Sequence, residues 1–297
     1  MSDTLASSET PPTDVVSPRL ANQSLAEAFR IEPPRPWRSL NVAELWRFRE
    51  LLYFLIWRDI KVRYKQTVLG ASWAVLQPAA TTLMFTVFFG QLGGMSRHVS
   101  GSYALYVYVA MQPWSFFSNA VTSAANSLVG SSHLISKVYF PRLLVPLAAI
   151  GSGLIDFAVG FGLTLVLMIY YQVTPTPAIL TVPLLLVATI VVAAGAGILL
   201  SALIVAYRDF RYVVTFLVQL WFFATPVAYP LEIIPAKWQL LYSINPMVGI
   251  VAGFRAAVLG IEFPVTAVVV SFLSGLVLLF LGVSYFLRVE RRFADII

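Results

Sequence analysis

The sequence predicts an all-α integral membrane protein. It is expected to have six transmembrane helices, an amphipathic interface helix ahead of them, and a re-entrant hairpin between the fifth and sixth spans. Three observations carry this. Of the 297 residues, 59% are hydrophobic and only 11% charged, against about 25% charged in soluble domains, and the mean hydropathy is +0.80. A soluble core of this size could not hide that excess. The apolar residues also gather into runs close to the roughly 20 residues a helix needs to cross a hydrocarbon core. Finally, with the N-terminus inside, all 20 Lys and Arg except Arg97, Lys237 and Arg255 fall on the cytoplasmic side, a strong positive-inside bias. That bias puts both termini in the cytoplasm and accounts for a net charge of +6 without nucleic acid.

Residues 1–36 are rich in Ser, Thr, Pro and Ala and read as a disordered cytoplasmic tail. Residues 37–72 form the interface region. Phe48, Leu51, Leu52, Leu55, Ile56, Ile60 and Tyr64 recur at helical steps, opposite Arg47, Glu50, Arg58, Lys61 and Lys65. An apolar stripe facing a cationic one describes a helix lying flat among lipid headgroups. Residues 59–65 also alternate as a strand would, and so short a run is ambiguous by period alone; the unbroken i+4 series favours helix. After Lys65 no charged residue appears until Arg97, so this helix feeds directly into the membrane domain, residues 73–290.

The spans are expected at about 73–92, 103–123, 143–170, 179–207, 213–229 and 265–287, followed by a cytoplasmic tail at 291–297. Pro113 interrupts the second, and Pro226 and Pro230 break the fifth. Gly151, Gly153, Gly160 and Gly162 in the third, and Gly195 and Gly197 in the fourth, allow close helix approach. Residues 231–263 are too polar for a plain span and too apolar for a free loop. They read as two short half-inserted helices, a backbone arrangement tolerated at depth only where protein or a water-filled cavity satisfies it.

Chemistry is sparse. There are no cysteines, which excludes disulfides, thiol catalysis and cysteine-bound metal. His98 and His133 show no metal-ligand spacing. The one clear ionisable residue in the spans is Asp156; a lone intramembrane carboxylate is either a packing pin or a functional group, and proton-coupled transport would call for a chain of them. The informative feature is aromatic. Phe85, Phe88, Tyr106, Trp114, Phe117, Trp221 and Phe222 form either an interfacial belt or a ring-lined path whose faces meet the C–H faces of sugars without fixing any one hydroxyl. Two cytoplasmic connections present themselves to another protein. In residues 126–142, Leu134, Ile135, Val138, Tyr139 and Phe140 alternate with Lys137 and Arg142, five apolar side chains that would need a cover. The second, YRDFRY at 207–212, is a tight charged turn.

The run RDIKVRYKQTVLGASWAVLQP (58–78), then KVYFPRLLVP (137–146), YRDF (207–210), ATPVAYP (224–230) and INP (244–246), resembles in order and spacing the ABC-2 type permeases of the polysaccharide and polyol-phosphate export class, most of all the O-antigen and capsule exporters, with wall teichoic acid permeases next. The resemblance implies a homodimer in the bacterial inner membrane, paired with two copies of a separate ATPase, since the chain lacks a GxxxxGK[ST] loop. It implies no cofactor on this chain, with ATP and Mg on the partner subunit. The cargo would be lipid-linked polysaccharide, and surrounding membrane lipid the only other partner. Arg58, Lys61, Arg63, His133, Lys137, Tyr139 and Arg142 would then meet the ATPase, and Pro230, Pro235, Trp238, Asn245 and Pro246 would belong to a periplasmic gate hairpin. Two other classes compete. A membrane glycosyl- or acyltransferase on the same carrier would need convergent acids or an acid–histidine pair. An exporter of a small hydrophobic drug would share the fold but not need so wide a path.

Overall fold

The computed structural model describes residues 42–65, 72–99, 101–290 and 293; the expected tail at 1–36 lies outside them, as does most of the one at 291–297. The described residues form helices and turns only. A short helix α1 (Val42–Arg47) leads into α2 (Arg49–Lys65), so the ambiguous 59–65 stretch is helical. Its apolar stripe, however, turns onto the protein. Leu55 is buried and Phe48, Leu51, Leu52 and Ile56 pack on the core, chiefly against α6 (Leu144–Ser152). Gly151 makes room for this: a Cβ there would lie 2.8 Å from Ile56 Cδ1. The exposed side mixes Trp46, Tyr53, Phe54 and Trp57 with Arg58 and Lys61.

Helix α3 (Trp73–Phe85) continues as a π-helical stretch, Thr86–Leu92. Next comes α4 (Tyr103–Gly130), which runs past the expected end at 123. Its polar residues do not stop it because they bond back to the helix: Thr122 Oγ1 donates to Ser118 O at 2.8 Å, Asn126 Nδ2 to Thr122 O at 2.9 Å and Ser127 Oγ to Ala124 O at 2.7 Å. After the short α5 (Ser132–Lys137) and α6, α7 (Leu154–Tyr170) completes the third long segment. Then follow α8 (Val182–Ala206), α9 (Phe210–Phe223), α10 (Ala236–Tyr242), α11 (Pro246–Leu259) and α12 (Val265–Val289).

Four segments among the described residues are long and apolar enough to cross a membrane: Val75–Leu92, Leu144–Tyr170, Pro177–Ala206 and Val265–Val289. Counting α10 with α11, bent by 112°, as one broken span makes five. The two expected spans that do not qualify have different reasons. Helix α9 ends at Phe223 rather than reaching 229, because Pro226 lacks the N–H a continuing helix needs and disfavours helical backbone before it. Helix α4 is long enough but carries too many polar residues. It is nevertheless the hub of the bundle, with Val107, Phe117, Val121, Ala124 and Leu128 fully buried, and it packs on α3, α6, α7, α8, α9 and α11.

Helices α8 and α12 cross closely. A Cβ on Gly195 would stand 2.6 Å from Leu279 N, and one on Gly282 would stand 2.4 Å from Gly195 O. The small-residue reading of Gly195 is a real backbone-to-backbone contact. At Gly162 it is not: a Cβ there would meet nothing.

Candidate functional site

Where α2 ends, Arg63 and Tyr64 reach across to Asp156 at the start of α7. The guanidinium pairs with one carboxylate oxygen and the Tyr64 hydroxyl donates to the other. Arg63 also approaches Ser152 Oγ at 3.4 Å. Burial first, and then the bond to Asp156, push the Tyr64 phenol up to about 12, so it remains a donor at physiological pH. Asp156, isolated in the sequence, is thus the anchor of α2, and Arg63 faces inward on it rather than outward with Arg58 and Lys61. Arg58 pairs with Asp59 at 2.9 Å and Lys61 lies 5.4 Å over the Trp57 ring. Above the triad opens a cavity of about 340 Å³, lined by Arg63, Tyr64 and Asp156 together with the Gln112, Ser115, Asn119 and Ser123 stripe of α4.

Five of the seven aromatic residues converge on one column. Phe85 stacks on Phe222 at 5.6 Å, Phe222 meets Trp114 at 5.3 Å, Trp114 meets Phe117 at 5.4 Å, and Phe117 meets Trp221 at 4.9 Å. This ties α3, α4 and α9 together. Trp114, Phe117 and Tyr106 are buried, so in this conformation they are packing rather than the free lining expected of them. Phe88, outside the column and 55% exposed, presents an open ring.

At the far end of the bundle a group that the sequence reading placed outside is the deepest charge described. Arg255, in the middle of α11, is 2% exposed. Its guanidinium donates to Pro226 O at 2.6 Å, Val227 O at 2.5 Å, and Tyr229 O and Tyr106 O at 3.3 Å each. It also stacks 3.8 Å over the Tyr106 ring. The non-helical ATPVAYP run thereby finds its donors within the protein, which backbone at depth requires, and a planar fork suits the task. The sequence signal was available: an arginine inside GIVAGFRAAVLG, opposite two prolines that strip a turn of N–H groups. Asn245 completes the lock. It caps α11 through Met247 N at 3.1 Å, accepts from Trp221 Nε1 at 2.7 Å and donates to Ala224 O at 2.8 Å. Pro246 is buried behind it at the first turn of α11. Pro230 is buried, whereas Pro235 and Trp238 are exposed on α10 and its approach.

The two charged connections also meet. Around α5, Ile135 and Phe140 are buried and Leu134 half-buried, so only Val138 and Tyr139 of the five apolar residues stay uncovered, Tyr139 at 79%. His133 and Lys137 are exposed with them. Arg142 turns inward instead, donating to Glu290 O at 2.5 Å and lying 6.0 Å from the Phe293 ring centroid. Beside α5, a hollow of about 460 Å³ is lined by Val129 and Ser132 on one side and by Arg208, Asp209, Arg211 and Tyr212 on the other.

Residues 50–259 match the family model described as ABC-2 type transporter. The chain is 31% identical to the O-antigen export system permease protein RfbA of Myxococcus xanthus over 217 residues, 72% of this chain and 82% of that protein. It is 25% identical to an RfbA of Klebsiella pneumoniae over 249 residues, 84% of this chain and 95% of that one. It is also 25% identical to the polysialic acid transport protein KpsM of Escherichia coli over 215 residues, 69% of this chain and 80% of that one. The chain with the Asp156 anchor, the aromatic column and the Arg255 lock therefore belongs to the ABC-2 type transporter family.

Proposed function

We propose that this chain is the membrane permease subunit of an ATP-driven exporter of lipid-linked polysaccharide, O-antigen in kind. The observation that carries the proposal is the likeness to O-antigen export permeases along almost their whole length, 95% in one case. The subunit itself performs no chemistry; ATP and Mg belong to a separate ATPase, two copies of which serve a homodimer of this chain. In this reading α4 and α9 complete six spans, with both termini in the cytoplasm of a bacterial inner membrane. The exposed Trp46, Tyr53, Phe54 and Trp57 of α1 and α2 lie at headgroup depth, where aromatic and cationic side chains are favoured. The α10–α11 pair, with Pro230, Pro235, Trp238, Asn245 and Pro246, forms the periplasmic gate.

The ATPase docks where α5 leaves Lys137, Val138 and Tyr139 uncovered beside the hollow at Arg208–Tyr212, with His133, Arg58 and Lys61 flanking; an exposed apolar patch beside charge supports a partner there. The likeness to KpsM favours a capsule polymer as the second reading of the cargo. The test is complementation of a strain deleted for this chain. Lys137→Glu combined with Tyr139→Ala is expected to insert at wild-type levels, to lose the ATPase on affinity purification and to lower surface polysaccharide by about tenfold, the effect of removing one interface anchor. Normal surface polysaccharide in the deletion strain itself would refute the exporter reading.

A further inference from the structure

The cavity above the Asp156 anchor is built to hydrogen-bond something that is not part of the described chain. Its wall on α4 is a stripe at helical spacing, Gln112, Ser115, Asn119 and Ser123, about 16 Å long at the rise of an α-helix. Off the cavity, Ser118, Thr122, Asn126 and Ser127 close bonds onto their own backbone. The cavity-facing Ser115, Asn119 and Ser123 side chains close none among the described residues. At the deep end Gln112 is only 4% exposed, and its Nε2 lies beside the Tyr108 hydroxyl without closing a hydrogen bond of good geometry. The neighbouring Tyr108 hydroxyl gives its proton to Gly160 O at 3.2 Å. Gly160 keeps the space open for the amide, because a Cβ there would lie 2.3 Å from Gln112 Oε1.

The charge of the cavity selects the ligand class. Among the described residues its single cation, Arg63, is paired with its single anion, Asp156, and no other charged side chain lines it. A phosphate or pyrophosphate finds no uncompensated positive charge there, whereas strong anion sites supply one. Neutral hydroxyls, each both donor and acceptor, match the unpaired amides and serines, and the rings of Trp73, Phe116 and Phe157 offer faces to sugar C–H groups. We infer that the α4 cavity is a binding site for neutral, hydroxyl-rich sugar residues of the polymer, separate from any site for the lipid carrier's phosphates. This rests on the exporter reading and deepens it.

The chain has no cysteine, so Asn119→Cys and Ser115→Cys each introduce a single reporter thiol. Assembled exporter in inside-out membrane vesicles would be labelled with a small water-soluble methanethiosulfonate. Labelling is expected to be about fivefold slower in vesicles from polymer-making cells than in vesicles from cells blocked in polymer synthesis, the occupancy effect of one or two hydrogen bonds. Inorganic pyrophosphate added to the blocked vesicles should leave the rate unchanged, and Gln112→Leu in the Asn119→Cys background should remove the protection by polymer. Equal labelling with and without polymer at both positions overturns the sugar site, as does protection by pyrophosphate. Because surface polysaccharide is scored in the same strains, loss of the site with export still dependent on this chain leaves the exporter reading standing. Export independent of the chain removes both.

Discussion

Arg255 carries its charge into a place where, among the described residues, no carboxylate forms an ion pair with it. Carbonyl dipoles and one ring hold it instead, and in return it satisfies a turn that has no helix to bond to. Arg255→Leu therefore strands the carbonyls of Pro226 and Val227 and is expected to destabilise the chain by about 3 kcal/mol, since each buried polar group left unpaired costs about 1–3 kcal/mol. Arg255→Lys should lie between, because a single ammonium cannot span four carbonyls. Thermal unfolding in detergent reads both, and a leucine variant that melts with wild type would remove the lock from the argument. The residue scale was only half legible in the sequence. Asp156 stood out as a charge in an apolar run, but its partners lie 93 and 92 positions away, a distance no local pattern encodes. Arg255 escaped because the sidedness count set it outside with Arg97 and Lys237, and the carbonyls it meets at Pro226, Val227 and Tyr106 lie 29, 28 and 149 positions away.

At the scale of elements, lengths and apolar runs gave the segments, and the deviations are informative. Helix α2 reads as amphipathic, but α6 takes the apolar stripe that lipid was expected to cover and the exposed side is itself partly apolar, with Tyr53, Phe54, Trp57 and Val62; composition gives a face, not its partner. The Gly pattern separates by the same logic. Gly195→Val forces a branched side chain into the backbone of α12, which cannot move aside as a side-chain tip can, and is expected to cost about 3 kcal/mol or more. Gly162→Ala has open space and should change stability by no more than about 1 kcal/mol, in the stabilising direction, because Ala is the better helix former. Melting temperatures of the two variants in the same detergent check the contrast; similar losses in both would mean the α8–α12 crossing is looser than described.

For the whole molecule, the proposed orientation puts α5 and the hairpin on opposite sides of the membrane. Tyr139→Cys and Lys237→Cys, at exposed positions of a cysteine-free chain, should behave oppositely. In intact spheroplasts an impermeant maleimide is expected to label position 237, and position 139 only after permeabilisation; the reverse pattern would invert the topology. The proposed orientation is itself a reading of the charge distribution, because sidedness is written in Lys and Arg counts rather than in contacts. The central helix was less readable, since its Ser, Thr and Asn residues look like a departure from membrane and are instead closed on themselves or turned toward a cavity. That helix, α4, is missing from the segments apolar enough to cross on their own, yet α3, α6, α7, α8, α9 and α11 all pack on it. During synthesis a lone segment of this composition would partition poorly from the translocon into lipid. It is therefore expected to wait at the translocon until α6, α7 and α8 emerge to shield it, so the helices made next govern when the hub of the bundle passes into lipid.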